Sequence, residues 1–165
     1  EVSFEGYGPG GIAIIVESMT DNNNRTVAEV RHAFTKSGGN LGTNGSVSYL
    51  FEKKGLINIT PDQDADLVME ISIEAGAEDI EVNDDDSLTV SSSPEDFENI
   101  KNALLEKQIN LIDSDVALIP ETTVKADIDT SLKVFKLLEM LEDLDDTQNV
   151  TSNIEFAEGM LDHLD

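Results

Sequence analysis

The stretch SLTVSSSPEDFENIKNALLEKQ, residues 87–108, contains a strand, a stop and a helix in succession. Leu88 and Val90 alternate with Thr89 and Ser91, the period-2 pattern of a half-buried strand. Ser93 offers an N-cap, and Pro94 takes the first helical position, where a missing N–H costs nothing. Phe97, Ile100, Leu104 and Leu105 recur at helical spacing and predict the buried face. Upstream, EDIEV (78–82) and NDDD (83–86) supply the other arm and the turn of a hairpin. Before them, PDQDADLVMEISIEAGA (61–77) reads as a helix burying Leu67, Ile71 and Ala75, with Gly76 as its stop. GLINIT (55–60) reads as a strand opening this unit, and DSDVALIP (113–120) as its closing strand, ended by Pro120. Residues 55–121 therefore run β-α-β-β-α-β, the ferredoxin-like order.

The flanks carry the same grammar. EVSFEGYGPGGIAIIVESMT (1–20) predicts a strand, a Gly-Pro-Gly turn and a mostly buried second strand. Val27, Val30 and Phe34 then mark the inner face of a helix, capped by Asn23 or Asn24 and stopped by Gly38 and Gly39. GSVSYLFEKKG (45–55) reads as a strand with Val47, Tyr49 and Phe51 on one face. After Pro120 a helix is expected from a cap at Asp129 or Thr130 to about Asp145, burying Leu132, Phe135, Leu138 and either Met140 or Leu141. A last strand, NVTSNIEF (149–156), follows. Residues 1–54 lack a second helix and a final strand, and residues 122–165 offer both. The expected fold class is α+β, two ferredoxin-like α/β sandwiches. The discontinuous domain 1–54 plus 122–165 receives 55–121 as an insertion.

Charge narrows the functions. The chain of 165 residues carries a formal −25, which repels phosphate backbones. Residues 1–55 hold five basic side chains against six acidic, 56–121 two against eighteen, and 122–165 three against eleven. Only the first segment is suited to approach a polyanion, so this polypeptide alone is expected to bind nucleic acid poorly. There is no cysteine, which removes disulfides, thiolate metal sites and a thiol nucleophile and fits a cytoplasmic protein. No apolar run approaches the roughly 20 residues of a membrane-spanning helix.

Local positive charge gathers in DNNNRTVAEVRHAFTKSGGNLGTNGS, residues 21–46. Arg25, Glu29, His32 and Lys36 fall opposite the apolar stripe, with Arg31 on the flank. One reading is phosphate contact by Arg25, Arg31 and Lys36, helped by Lys53 and Lys54, by the helix start at Asn24 and by backbone N–H groups around Gly38, Gly39 and Asn40. The other is a solvated helix face, with Glu29 partly neutralising Arg25 and His32, followed by a turn. GYGPGG (6–11) opens a strand instead of a helix and so reads as a turn, not a dinucleotide loop. DQDAD (62–66) starts like a calcium loop, but Leu67 stands where glycine is required and Ile73 where the twelfth ligand belongs. His32 and His163 lack metal-ligand spacing. No catalytic residue, metal or cofactor is expected, and the protein is read as a non-enzyme.

The run YGPGGIAIIVESMTDNNNRTVAEVRHAFTKSGGNLGTNGSVSYLFEKKG (7–55), with EAGAEDI, DVALIP and KLLEMLEDLDD following in order, resembles the YebC/PmpR family. The resemblance covers nearly the whole chain. It implies a regulator of gene expression, either a DNA-binding transcriptional regulator or a ribosome-associated translation factor. It also implies three domains, a basic N-terminal helical bundle and two α/β domains, the third inserted into the second. The chain opens at the first strand of the second domain, so it reads as a truncated form whose main nucleic-acid affinity lies in the missing domain. The rival reading is a protein-interaction module binding a basic partner through its acidic surface. Neither reading involves a membrane.

Overall fold

The structure, a computed structural model, describes residues 1–163. It divides into two compact units, Glu1–Glu52 with the chain from Ile119 onward, and Lys53–Leu118. In chain order the elements are β1 (Val2–Tyr7), β2 (Ala13–Ser18), α1 (Asn23–Lys36), β3 (Asn40–Leu41), β4 (Phe51–Ile59), α2 (Ala65–Glu74) and β5 (Asp79–Val82). They continue with β6 (Leu88–Ser92), α3 (Pro94–Glu106), β7 (Leu111–Pro120), β8 (Val124–Lys125), α4 (Ile128–Glu142), β9 (Thr147–Ser152) and β10 (Ile154–Glu155). Both units are ferredoxin-like α/β sandwiches, each with a four-stranded sheet and two helices packed on it.

In the Lys53–Leu118 unit the sheet order is β5-β6-β4-β7. Ile57, Ile59, Leu88 and Val90 meet Val68 of α2 and Phe97, Ile100 and Leu104 of α3 in one core. Ser93 caps α3, its hydroxyl accepting from the Asp96 amide at 3.3 Å, with Pro94 at the first position. In the other unit the order is β3-β1-β2-β9. The hairpin β1-β2 forms the centre, α1 carries the chain to one edge and α4 to the other. Phe4, Ile14 and Val16 pack against Val30, Ala33 and Phe34 of α1 and Val134, Leu137 and Leu141 of α4.

Several local expectations are corrected. GSVSYLFEKKG and GLINIT are not two strands; Ser48–Leu50 is a 3-10 turn, Tyr49 is exposed, and β4 runs unbroken through Gly55. Gly55 is there for space, because a Cβ would lie 2.6 Å from Phe97 Cδ1. In α2 the buried positions are Val68 and Ser72, and Leu67 is exposed. Leu105 of α3 is exposed as well. Asp127, not Asp129 or Thr130, caps α4, accepting from the Thr130 amide at 2.7 Å. The buried stripe of α4 is Ser131, Val134, Leu137 and Leu141, a pattern disguised by its serine. The last strand is split at Asn153, whose side-chain oxygen accepts from the Ala13 amide at 2.9 Å, leaving β9 on one side and β10 on the other.

Candidate nucleic-acid interface

The cationic helix α1 starts one residue earlier than expected. Asn22 is its cap, accepting from the Arg25 amide at 3.2 Å, so Asn24 sits exposed in the first turn instead of capping. Val30, Ala33 and Phe34 are buried and fix which face remains outside.

Arg25 points outward, but its charge is already engaged. Its Nη2 donates to Asp146 Oδ2 at 2.9 Å, and its Nε lies 3.8 Å from Glu29. The Thr26 hydroxyl donates to the same Asp146 oxygen at 2.7 Å. The Arg25 hydrogen bond, joined by that of Thr26, holds the Asp146 carboxyl below the usual aspartate range. Asp146 therefore ties the first turn of α1 to the turn that enters β9. Arg25 serves as this tie, so its guanidinium is already paired within the protein.

Arg31, His32 and Lys36 are exposed and make no ion pair among the described residues. Five residues separate Arg31 from Lys36, about 140° around a helix at about 100° per residue, so the two do not converge on one phosphate. Arg31 lines a groove of about 670 Å³ with Val2, Phe4, Glu5 and Leu41, whereas Lys36 sits in the last turn, where a cation also complements the helix dipole. Lys53 and Lys54 belong to the other unit, on β4, and Lys54 Nζ lies 3.3 Å from Glu78.

In the glycine loop, backbone N–H groups already have partners within the protein. Gly38, at φ +87°, ends α1, and its N–H donates to Thr35. The Gly39 N–H donates to the Phe34 carbonyl at 2.8 Å, and Asn40 pairs with Tyr7 in β3. The Gly42 N–H donates to the Glu5 carbonyl. The amides of Gly45, Val47 and Ser48 then converge on the Glu5 carboxylate at 2.9, 3.0 and 2.7 Å. A run of N–H groups that could cradle an anion is filled by the protein's own carboxylate. The N–H groups of Gly38 and Gly39 are thus committed to the helix stop, and Asn40 is paired in β3.

Glu5 is the residue that sequence reasoning missed. It is 6% exposed. Burial raises its pKa, but the three amide hydrogen bonds and one from the Ser48 side chain together outweigh that and leave it below the ordinary glutamate value. Its position in VSFEGY carries no local signal, since its partners lie 40 or more residues away.

Folding also changes the charge picture drawn from linear segments. The unit containing α1 brings in α4 and its flanking acids, for six basic side chains against eighteen acidic, a net of −12. The cations of α1 are therefore local features of an acidic unit and not part of a near-neutral one. Three aspartates of the remaining motifs serve local geometry. Asp62 accepts from Thr60 and Gln63, Asp64 caps α2, and Asp85 accepts from the Ser87 amide. No helix among the described residues is long and apolar enough to cross a membrane.

Two ferredoxin-like sandwiches, one with an exposed cationic helix, place the chain among α+β proteins of tandem sandwich build. A family model described as "TACO1/YebC second and third domain" matches residues 1–154, and the chain belongs to that family. It is 54% identical over 164 residues to a "Probable transcriptional regulatory protein" of Francisella philomiragia, covering 99% of this chain and 66% of the relative. Hahella chejuensis has a relative of the same description at 54% identity over 164 residues, with the same coverage. One from Coxiella burnetii is 52% identical over 161 residues, covering 98% of this chain and 66% of the relative. The chain thus spans about two thirds of the length of these curated relatives. Among solved structures it is similar to the "Conserved Hypothetical Protein Aq1575 from Aquifex Aeolicus". The TM-score is 0.83 at 43% identity, covering 98% of this chain and 67% of that one.

Proposed function

We propose that the protein is a non-catalytic regulator of gene expression whose full-length form binds DNA or the ribosome, with α1 as a secondary contact surface. The observation that carries this reading is the exposed set Arg31, His32 and Lys36, without ion pairs among the described residues, on a unit that is otherwise strongly acidic. Cationic side chains at such positions contact phosphates without reading sequence. The relatives' description as probable transcriptional regulatory proteins favours a partner in gene expression. A unit of net −12 does not hold a polyanion alone, so the main affinity belongs to a basic domain elsewhere in the full-length protein. Mobility shifts on duplex DNA and co-sedimentation with ribosomes, both at low salt, test the proposal. Binding to one of them supports it, and the absence of both from the full-length protein ends it.

A further inference from the structure

We propose that the open edge of β5, with the groove beside α2, takes up an extended basic peptide as a fifth strand of the Lys53–Leu118 unit. The inference rests on that unit alone and is independent of the role given to α1.

β5 ends the sheet order β5-β6-β4-β7, and no other strand pairs with it among the described residues. The Asn83 amide donates to the Ser87 carbonyl at 2.8 Å, and Glu81 stands opposite Thr89. In an antiparallel ladder such pairs alternate, so the backbone groups of Glu81 face β6 while those of Ile80 and Val82 face the open edge. An unpaired row of N–H and C=O groups is a template for another strand.

The side chains beside this edge favour the same occupant. Ile80 and Val82 stand opposite Val90 and Leu88, both buried under the helices, which puts all four on the helix-covered face. There, Met69 and Ile73 of α2 and Ile80 line a groove of about 240 Å³. Ile73 is 64% exposed and Val82 54%, more apolar surface than a solvated edge requires. An added strand would place alternate side chains into this groove.

Charge selects the partner. Glu70 and Glu74 follow Met69 and Ile73 on α2, Asp79 and Glu81 occupy β5, and Glu78 holds Lys54. The unit has four basic side chains against seventeen acidic, a net of −13. A second copy or a nucleic acid is repelled at this edge. A short strand bearing carboxylates is also how proteins keep like edges apart, but the same carboxylates attract lysine and arginine. The fitting ligand is a protein segment in which apolar residues alternate with basic ones.

The probe is a blocked heptapeptide of alternating lysine and valine, titrated into isotope-labelled protein and followed by NMR. The expected result is shifts at Met69, Ile73, Ile80 and Val82 and slowed amide exchange at Ile80 and Val82. Affinity should fall by about tenfold in Ile73→Lys and in Glu81→Lys, both exposed positions, and the glutamate-valine peptide should not bind. The inference is overturned if the peptide leaves β5 unmoved, if it binds both variants as well as the parent, or if the acidic peptide binds equally. It is also overturned if β5 signals move with protein concentration alone, which would make a second copy the occupant.

Discussion

Replacing Glu5 by Gln separates a carboxylate that organises the 42–48 loop from one that is merely buried there. Glutamine keeps the length and one carbonyl oxygen, but its other terminal atom donates. The amides of Gly45, Val47 and Ser48 at 2.7–3.0 Å all need acceptors, so at least one is left facing a donor. With the glutamine oxygen kept on Val47 and Ser48, the part-buried Gly45 N–H faces the new donor; losing that acceptor costs about 1–3 kcal/mol, and each remaining bond loses its ionic character, for a total of about 3 kcal/mol. Native-state amide exchange at residues 45, 47 and 48 reads this directly, as roughly hundredfold faster opening. The pH dependence follows from the sign of the shift. The folded carboxyl sits below its ordinary value of 4.5, so the unfolded state binds more protons through that window. The contribution of Glu5 is complete above that value and is lost as pH falls through the folded pKa. Urea melts of parent and Glu5→Gln should therefore differ most near neutrality and converge in acid. Unchanged exchange at the three amides, or a stability difference that does not vary with pH, would show that the Glu5 charge does not organise the loop.

Three further outcomes follow from the packing. Phe34→Ala empties the centre of the core shared by α1 and α4 and should cost about 3–5 kcal/mol in a urea melt. Gly55→Ala drives a Cβ to 2.6 Å from the Phe97 ring. It should destabilise the Lys53–Leu118 unit by about 2 kcal/mol, and Phe97→Leu in the same chain should recover part of the loss. The pair Arg25→Gln with Asp146→Asn keeps net charge constant and removes the tie at 2.9 Å. It should speed amide exchange in the first turn of α1 while leaving nucleic-acid affinity unchanged.

What could be read in advance depended on how far apart the deciding residues lie. The α1 and α3 helices were legible because their signals are local: asparagines before Arg25, glycines after Lys36, Ser93-Pro94, and apolar residues at helical spacing. In α4 Leu141 is buried as expected, but Ser131, Val134 and Leu137 each lie one position before the expected Leu132, Phe135 and Leu138, because a count of apolar residues passes over the buried serine. Gly55 looked like a break between strands, yet it clears space for Phe97, a residue 42 positions later. The candidate site shows the same limit. The exposure of Arg31 and Lys36 follows from the helical period. The capture of Arg25 by Asp146 and of the loop amides by Glu5 depends on contacts across 121 and 40–43 residues. Charge counted along linear segments misleads for the same reason, since α4 returns its acids to the unit that holds α1.

Whether the outer face of α1 meets a polyanion is decided by the salt dependence of nucleic-acid binding by the full-length protein, with Arg31→Glu and Lys36→Glu combined in one variant. The parent's affinity for its polyanion, duplex DNA or ribosome, should fall linearly with salt on logarithmic axes, and the variant's line should lie lower. If each side chain meets one phosphate of duplex DNA, the slope should be shallower by about two units. A variant that binds with the parent's affinity and slope would show that α1 does not touch the polyanion and make its outer face an ordinary solvated surface.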